Sequence, residues 1–195
     1  MLVAQAIKSN EIFLDTKYDE NLIKEATLNV FKKTSNIVLI GHPYSGKSLL
    51  GSKLAEELNM NYLDMDDYIE NKTHKTISEI FNQFGEEYFR KLEKEIIKEI
   101  STCKGYVIST GGGVVLDIEN MNELRRNSLV INITRDINFI NINNTRPLVK
   151  SKEELIKLIN DREKLYKKYS DIEINNIDIS ESLNEIRGAL LWNFI

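Results

Sequence analysis

The residues Gly41-His42-Pro43-Tyr44-Ser45-Gly46-Lys47-Ser48 fit the spacing G-x-x-x-x-G-K-[ST]. A glycine at the turn lets successive backbone N–H groups face an anion, and the helix expected next adds its positive N-terminal end. In that setting Lys47 can reach the β and γ phosphates of a nucleoside triphosphate, and the Ser48 hydroxyl can ligate Mg²⁺. Gly41, Tyr44, Ser45, Gly46 and Leu49 complete the expected nucleotide contact. A chance glycine turn would do none of this, but these residues stand where the motif requires, between a short buried strand and a helix.

A phosphate loop says nothing of the acceptor. Leu63-Asp64-Met65-Asp66-Asp67 ends a second strand pattern, and alternation along an extended chain would turn Asp64 and Asp66 the same way. One carboxylate can then hold the water shell of Mg²⁺ while the other accepts a hydrogen bond from a substrate hydroxyl. A cap for the next helix is the plainer use of the same aspartates. Arg90 falls early on a helix with Glu93 three residues on, a spacing that also suits an ordinary surface ion pair. Gly111-Gly112-Gly113 follows a third strand; ordering three glycines costs entropy, which is tolerated where backbone must approach a ligand closely. Arg146, within Asn144-Thr145-Arg146-Pro147-Leu148, could fold over the phosphates, and Arg162 lies on the helix that follows. The chain has seven arginines against nineteen lysines, so an arginine can mark a place where a planar bidentate donor is needed, although the pair Arg125–Arg126 reads equally well as solvated surface.

These residues need a frame. Short β-branched runs give strands at Asn36–Ile40, Asn61–Asp64, Tyr106–Ser109, Leu129–Ile133 and Ile172–Ile174. Helical spacing of apolar residues gives Lys47–Leu58, Asp66–Asn71, Ile77–Phe84, Glu86–Ile100 after Gly85, Ile118–Arg126, Lys152–Tyr169 and Ser180–Trp192. Strands alternating with helices imply an α/β fold built on a parallel sheet, with ligands beyond the carboxyl ends of the strands. Residues 135–150 lack a period and are rich in Asn, so they read as a mobile lid that would carry Arg146.

Bulk properties narrow the class. At 195 residues, 42% hydrophobic and 29% charged, the chain suits one soluble domain with some length to spare. No apolar run is long enough to span a bilayer, and the N-terminus lacks the order of a signal peptide. A single cysteine, Cys103, precludes an internal disulfide and fits a reducing, cytoplasmic setting. A net charge of −4 argues against a nucleic-acid surface.

Six segments then carry a resemblance in order: the phosphate loop, L-D-M-D-D-Y-I-E (63–70), I-F-N-Q-F-G-E-E-Y-F-R-K-L-E (80–93), S-T-G-G-G (109–113), T-R-P-L (145–148) and R-E-K-L-Y-K-K-Y-S-D (162–171). From about Asn36 onward the chain resembles shikimate kinase. The resemblance implies a P-loop, nucleoside-monophosphate-kinase-like three-layer sandwich with a central parallel five-stranded sheet. It implies transfer of the γ-phosphoryl group of ATP, with Mg²⁺, to the 3-hydroxyl of shikimate, on the route to aromatic amino acids. Asp66, Arg90, Gly111, Gly112, Gly113 and Arg162 would bind shikimate, the arginines through its carboxylate. Asp66 would orient or deprotonate the hydroxyl, Lys47 and Arg146 would stabilise the moving phosphoryl group, and Ser48 and Asp64 would manage Mg²⁺. Tyr44 departs from a position that is often small in the family, Phe139 stands near the usual adenine-facing arginine, and Ser170 replaces an alanine. Gluconate and nucleoside monophosphate kinases share the loop but place other groups after the second strand. A regulatory module without catalysis is the reading from another class, and Lys47, Asp66 and Arg146 together speak against it.

Residues 1–35 stand apart from that match. Met1-Leu2-Val3-Ala4-Gln5-Ala6 opens an amphipathic helix and resembles the closing helix of shikimate dehydrogenase, where the glutamine contacts shikimate. The resemblance implies the tail of a dehydrogenase–kinase fusion, with Gln5 idle here. A helix added for packing is the plainer alternative. The expected division is thus an N-terminal extension, 1–35, and a monomeric kinase domain, 36–195.

Overall fold

A computed structural model of the chain describes residues 2–15, 17–140, 149 and 151–193. Two helices, α1 (Leu2–Leu14) and α2 (Glu20–Thr34), lead into β1 (Asn36–Ile40). There follow α3 (Lys47–Leu58), β2 (Asn61–Asp64), α4 (Met65–Thr73), α5 (Ile77–Ile100), β3 (Tyr106–Ser109), α6 (Ile118–Arg125) and β4 (Ser128–Thr134). The chain then runs through α7 (Lys152–Tyr169), β5 (Ile172–Asn175) and α8 (Ile179–Asn193). The strands form one sheet in the order β2-β3-β1-β4-β5, and every pairing is parallel. This is the expected α/β architecture of three layers.

All five residues of β1 are buried, as they must be when both faces are covered. Its alternation sends Val38 and Ile40 into one core with Met65, Ile96, Phe89 and Val130. Ile37 and Leu39 point into the other, with Leu50, Leu54, Ile131 and Leu183. Phe31 of α2 joins this second core. Beyond α2, Ile12 and Phe13 of α1 are exposed.

The element ends hold a few corrections. The helix expected over 66–71 runs from Met65 to Thr73, because Asp64 caps it. A break was expected at Gly85, and Gly85 takes φ 81, ψ 172 inside α5. Its conformation is one that glycine alone adopts cheaply, so α5 is two helices meeting at a kink. The start of the segment expected to be irregular holds a 3-10 turn, Ile137–Phe139, capped by Asp136. Residues 141–148 and 150, Arg146 among them, lie outside the described residues.

Candidate active site

The loop after β1 is shaped by two left-handed residues, Tyr44 (φ 65) and Gly46 (φ 87). A Cβ on Gly46 would lie 2.4 Å from Asn176 Nδ2. That amide donates to Ser45 O at 2.8 Å, while Ser182 Oγ donates to Asn176 Oδ1 at 3.3 Å. The loop is therefore pinned from just beyond β5 by a residue 131 positions away. Lys47 Nζ donates to Gly41 O (2.9 Å) and His42 O (2.8 Å), which draws the ammonium into its own loop. Gly41 serves packing, since a Cβ there would meet Ile133 O at 2.2 Å. His42 is buried and bridges two segments: Nδ1 lies 2.7 Å from Pro43 O and Nε2 accepts from Arg135 N–H at 3.2 Å. Those partners assign the proton to Nδ1. Burial, with the Lys47 charge behind it, holds the His42 pKa below the ordinary histidine value.

Asp64 ends β2 and caps α4, its Oδ1 accepting from Asp66 N–H at 3.0 Å. Strand alternation therefore does not place the two carboxylates. Asp66 stands on the first turn of a helix, and the cap sets its position relative to Asp64. Tyr62 Oη lies 3.2 Å from Asp64 Oδ2, 3.2 Å from Ser109 Oγ and 3.0 Å from Ser48 O. It ties β2, β3 and α3 together at the point where Ser48 and Asp64 meet. Burial pushes the Tyr62 phenol up to about 12, so it remains a hydrogen-bond donor near neutrality.

Arg90 is held by two glutamates. Nη1 donates to Glu93 Oε2 at 2.8 Å, and Nη2 and Nε donate to Glu86 Oε1 at 3.0 and 3.3 Å. The Arg90–Glu93 pair is not the surface pair its spacing suggested, because Glu93 is only 1% exposed. Burial drives the Glu93 pKa up, and Arg90 pulls it back. The glycines of 111–113 are open to their neighbours. A Cβ on Gly113 would stand 2.2 Å from Arg90 Nη2, one on Gly112 2.9 Å from Pro43 Cδ, and one on Gly111 3.2 Å from Glu93 Oε1. So these glycines admit the side chains that wall the site. Gly112 O accepts from Arg162 Nη1 (3.1 Å) and Tyr166 Oη (2.6 Å), locking α7 to the loop after β3.

Two cavities open side by side at the carboxyl ends of the strands. The first, of ≈ 430 Å³, is lined by Asp66, Arg90, Glu93, Arg162 and the backbone of Gly111–Gly113, with Phe81 and Phe89 on its apolar side. The second, of ≈ 420 Å³, is lined by Tyr44, Gly46, Lys47, Ser48, Leu49 and Asp64. Arg135 and Phe139 also line the second. Asp66 lines both. Gly41 and Ser45 reach neither wall and act through the loop's shape. Phe139 is exposed, and Tyr44 packs with Ile140, Val149 and Leu155 in a small third core.

A hydroxyl and a carboxylate facing a phosphate loop are hard oxygen donors, which fits Mg²⁺ that keeps most of its waters and leans on phosphate oxygens. Ser48 and Asp64 would hold it. Sequence reading passed over His42, Tyr62, Tyr166, Asn176 and the burial of Glu93. Tyr166 carried one usable signal, its place four residues after Arg162 on the same helical face. His42, Tyr62 and Asn176 act through partners distant in sequence, and the burial of Glu93 depends on what packs over α5.

A family model described as "Shikimate kinase" matches residues 43–190. The shikimate kinase of Clostridium botulinum (strain Eklund 17B / Type B) is 44% identical over 164 residues, covering 82% of this chain and 99% of that protein. The shikimate kinase of Clostridium beijerinckii is 41% identical over 165 residues, or 82% of this chain and 96% of that one. Among solved structures, the shikimate kinase of Acinetobacter baumannii in complex with shikimate superposes with a TM-score of 0.79 at 28% identity, covering 85% of this chain and 98% of that one. That of Aquifex aeolicus gives 0.72 at 34% identity, covering 81% and 97%. With its phosphate loop, its paired cavities and these relatives, the chain belongs to the shikimate kinase family.

Proposed function

We infer that this enzyme transfers the γ-phosphoryl group of ATP, with Mg²⁺, to the 3-hydroxyl of shikimate, giving shikimate 3-phosphate and ADP. The step belongs to the shikimate pathway that supplies chorismate for aromatic amino acids. One observation carries the reading: the Asp66 carboxylate stands between a cavity lined by the phosphate loop and a cavity lined by two arginines. A hydroxyl seated beside Asp66 would face the phosphoryl group across that boundary, which is the in-line arrangement that transfer requires.

The residue roles follow the walls. Arg90 and Arg162 would receive the acceptor's carboxylate through paired N–H groups. Asp66 would orient the attacking hydroxyl and accept its proton. Gly111–Gly113 would bring backbone against the ring. On the other side Gly46, Lys47, Ser48 and Leu49 would hold the triphosphate, with Tyr44 at its edge. Lys47 would leave the loop carbonyls for the β and γ phosphates, and Arg146, on a lid over about 135–150, would neutralise the transferring charge. The test is an acceptor panel of shikimate, gluconate and nucleoside monophosphates with ATP and Mg²⁺. ADP release should depend on shikimate, and an equal or better rate with another acceptor would overturn the assignment.

We read the chain as a cytoplasmic monomer with no nucleic-acid or membrane partner, which sedimentation at micromolar concentration would check. We also read it as two units, an extension at 1–35 and the kinase domain at 36–195. The first 28 residues would derive from the tail of a shikimate dehydrogenase. Support comes from the M-L-V-A-Q-A match and from α1, whose Gln5 is exposed. Removing residues 1–19 should leave kinase activity intact; a dead but folded product would count against an idle extension.

A further inference from the structure

Arg135 is one of the seven arginines and plays no part in the machinery described above. It leaves β4 immediately after Thr134, and its backbone N–H is held by His42 Nε2 at 3.2 Å. Its position is thus tied to the phosphate loop itself, through the imidazole of a loop residue. The side chain turns into the second cavity, where it lines the wall with Gly46, Lys47 and Ser48. Nη1 lies 3.8 Å from the point where a Cβ on Gly46 would stand, so the guanidinium hangs over the turn that opens α3.

Its bonding is incomplete. Nε is buried and makes no hydrogen bond among the described residues. A buried guanidinium N–H left without an acceptor is costly, and the usual remedy is an anionic oxygen. A helix N-terminus beside a cation that keeps its charge at any working pH is a place where phosphate binds. Lys47, by contrast, is occupied by the carbonyls of its own loop. Arg135 is therefore a second, pre-positioned cation over the loop.

We propose that Arg135 is a nucleotide-binding residue of this enzyme, its guanidinium donating to β-phosphate oxygens of ATP and ADP above Gly46. This rests on the nucleotide site assigned above and adds to it a contact that the phosphate-loop motif does not contain. The His42 bridge makes that contact pre-formed, since the residue after β4 is placed before nucleotide arrives.

The experiment uses the full chain and calorimetric titration with MgADP, AMP and inorganic tripolyphosphate, none of which requires acceptor turnover. Arg135→Gln should weaken ADP and tripolyphosphate binding by about tenfold or more, as expected for loss of a charge-assisted contact. AMP, which lacks the β-phosphate, should change by less than about threefold, and shikimate binding should be unchanged. Unchanged ADP binding would overturn the proposal, and so would an equal loss for AMP and ADP, which would place the guanidinium on the nucleoside side. Should Arg135→Gln fail to fold, Arg135→Lys decides: it keeps the charge but loses the planar fork, so ADP should weaken while shikimate binding holds. Failure of the wild-type chain to phosphorylate shikimate would count against the proposed function and leave these titrations standing.

Discussion

The two cavities differ by little in volume, 430 against 420 Å³, yet their walls are made differently. The first is walled by side chains from several elements. On α5 Arg90 is held by its helix neighbours Glu86 and Glu93, while Arg162 and Tyr166 of α7 reach Gly112 O, 50 and 54 residues back in the chain. The second is mostly one loop and the first turn of its helix, Tyr44 to Leu49, with Asp64, Arg135 and Phe139 added at the rim. Ser48 and Leu49 are exposed there. A triphosphate is recognised by a run of consecutive backbone groups, so a local motif suffices. A small hydroxylated acid has to be recognised from several sides, so its wall is assembled from parts of the chain that only folding brings together.

Five substitutions would break or sharpen that contrast. Asp66 serves both cavities, and Asp66→Asn should lower turnover by about 10²-fold or more while ATP affinity hardly moves, as for a lost general base. A near-normal turnover number would remove Asp66 from the chemistry. Next in size, Arg90→Ala or Arg162→Ala should weaken shikimate binding by about 2–5 kcal/mol, as for one half of a desolvated charge pair, with nucleotide binding spared. Titration of both ligands against each variant checks this, and equal losses would mean that the two walls are not independent. Arg90→Ala also leaves Glu93 buried without its cation, so its melting temperature should fall further than that of Arg162→Ala.

Tyr62→Phe acts on the other cavity. Its hydroxyl touches Asp64 and Ser109 and no acceptor residue, so the Mg²⁺ concentration for half-maximal rate should rise by about tenfold, the low end for an outer-shell partner. The Michaelis constant for shikimate should stay put; movement of that constant instead would reassign the tyrosine to the acceptor side.

The smallest effect concerns His42. Its folded-state pKa lies below the ordinary 6.5, so as pH falls the unfolded chain takes up the proton first. The stability that depends on the neutral ring is complete above the unfolded value and is lost as pH drops from there through the folded value. Melting temperatures between about pH 5 and 7.5 should therefore fall more steeply for wild type than for His42→Asn. Parallel curves would show that the ring does not hold Arg135 and the loop in its neutral form.

Much of this was legible in the chain alone. β1, α3, β2, β3 and α7 run between the residues that their patterns named, because a fully buried parallel strand and an amphipathic helix each leave a local periodic mark. The kink at Gly85 was legible for a similar reason: only glycine takes that backbone angle without strain. Asp64 and Asp66 were expected to face the same way by strand alternation, and the structure places them by a helix cap instead. A cap, which the residue types also signal, ends the strand at Asp64 and puts Asp66 on the first turn of α4.

What the sequence alone determined, then, was the order of the elements, the phosphate loop and the identity of the residues at the strand ends, all of which depend on neighbours within a few positions. Tertiary structure decided the rest: that Glu93 is buried against Arg90, that Asn176 and His42 fasten the phosphate loop, that Tyr62 braces Asp64, and that Arg135 overhangs Gly46. Asn176, His42 and Arg135 join segments from different elements, whereas Glu93 shares α5 with Arg90 and Tyr62 shares β2 with Asp64. In those two pairs the fold decides the burial of Glu93 and the further bonds of Tyr62 to Ser48 O and Ser109 Oγ. The types of the residues that meet across elements are ordinary taken singly, and the parallel sheet order, with β1 between β3 and β4, brings them side by side.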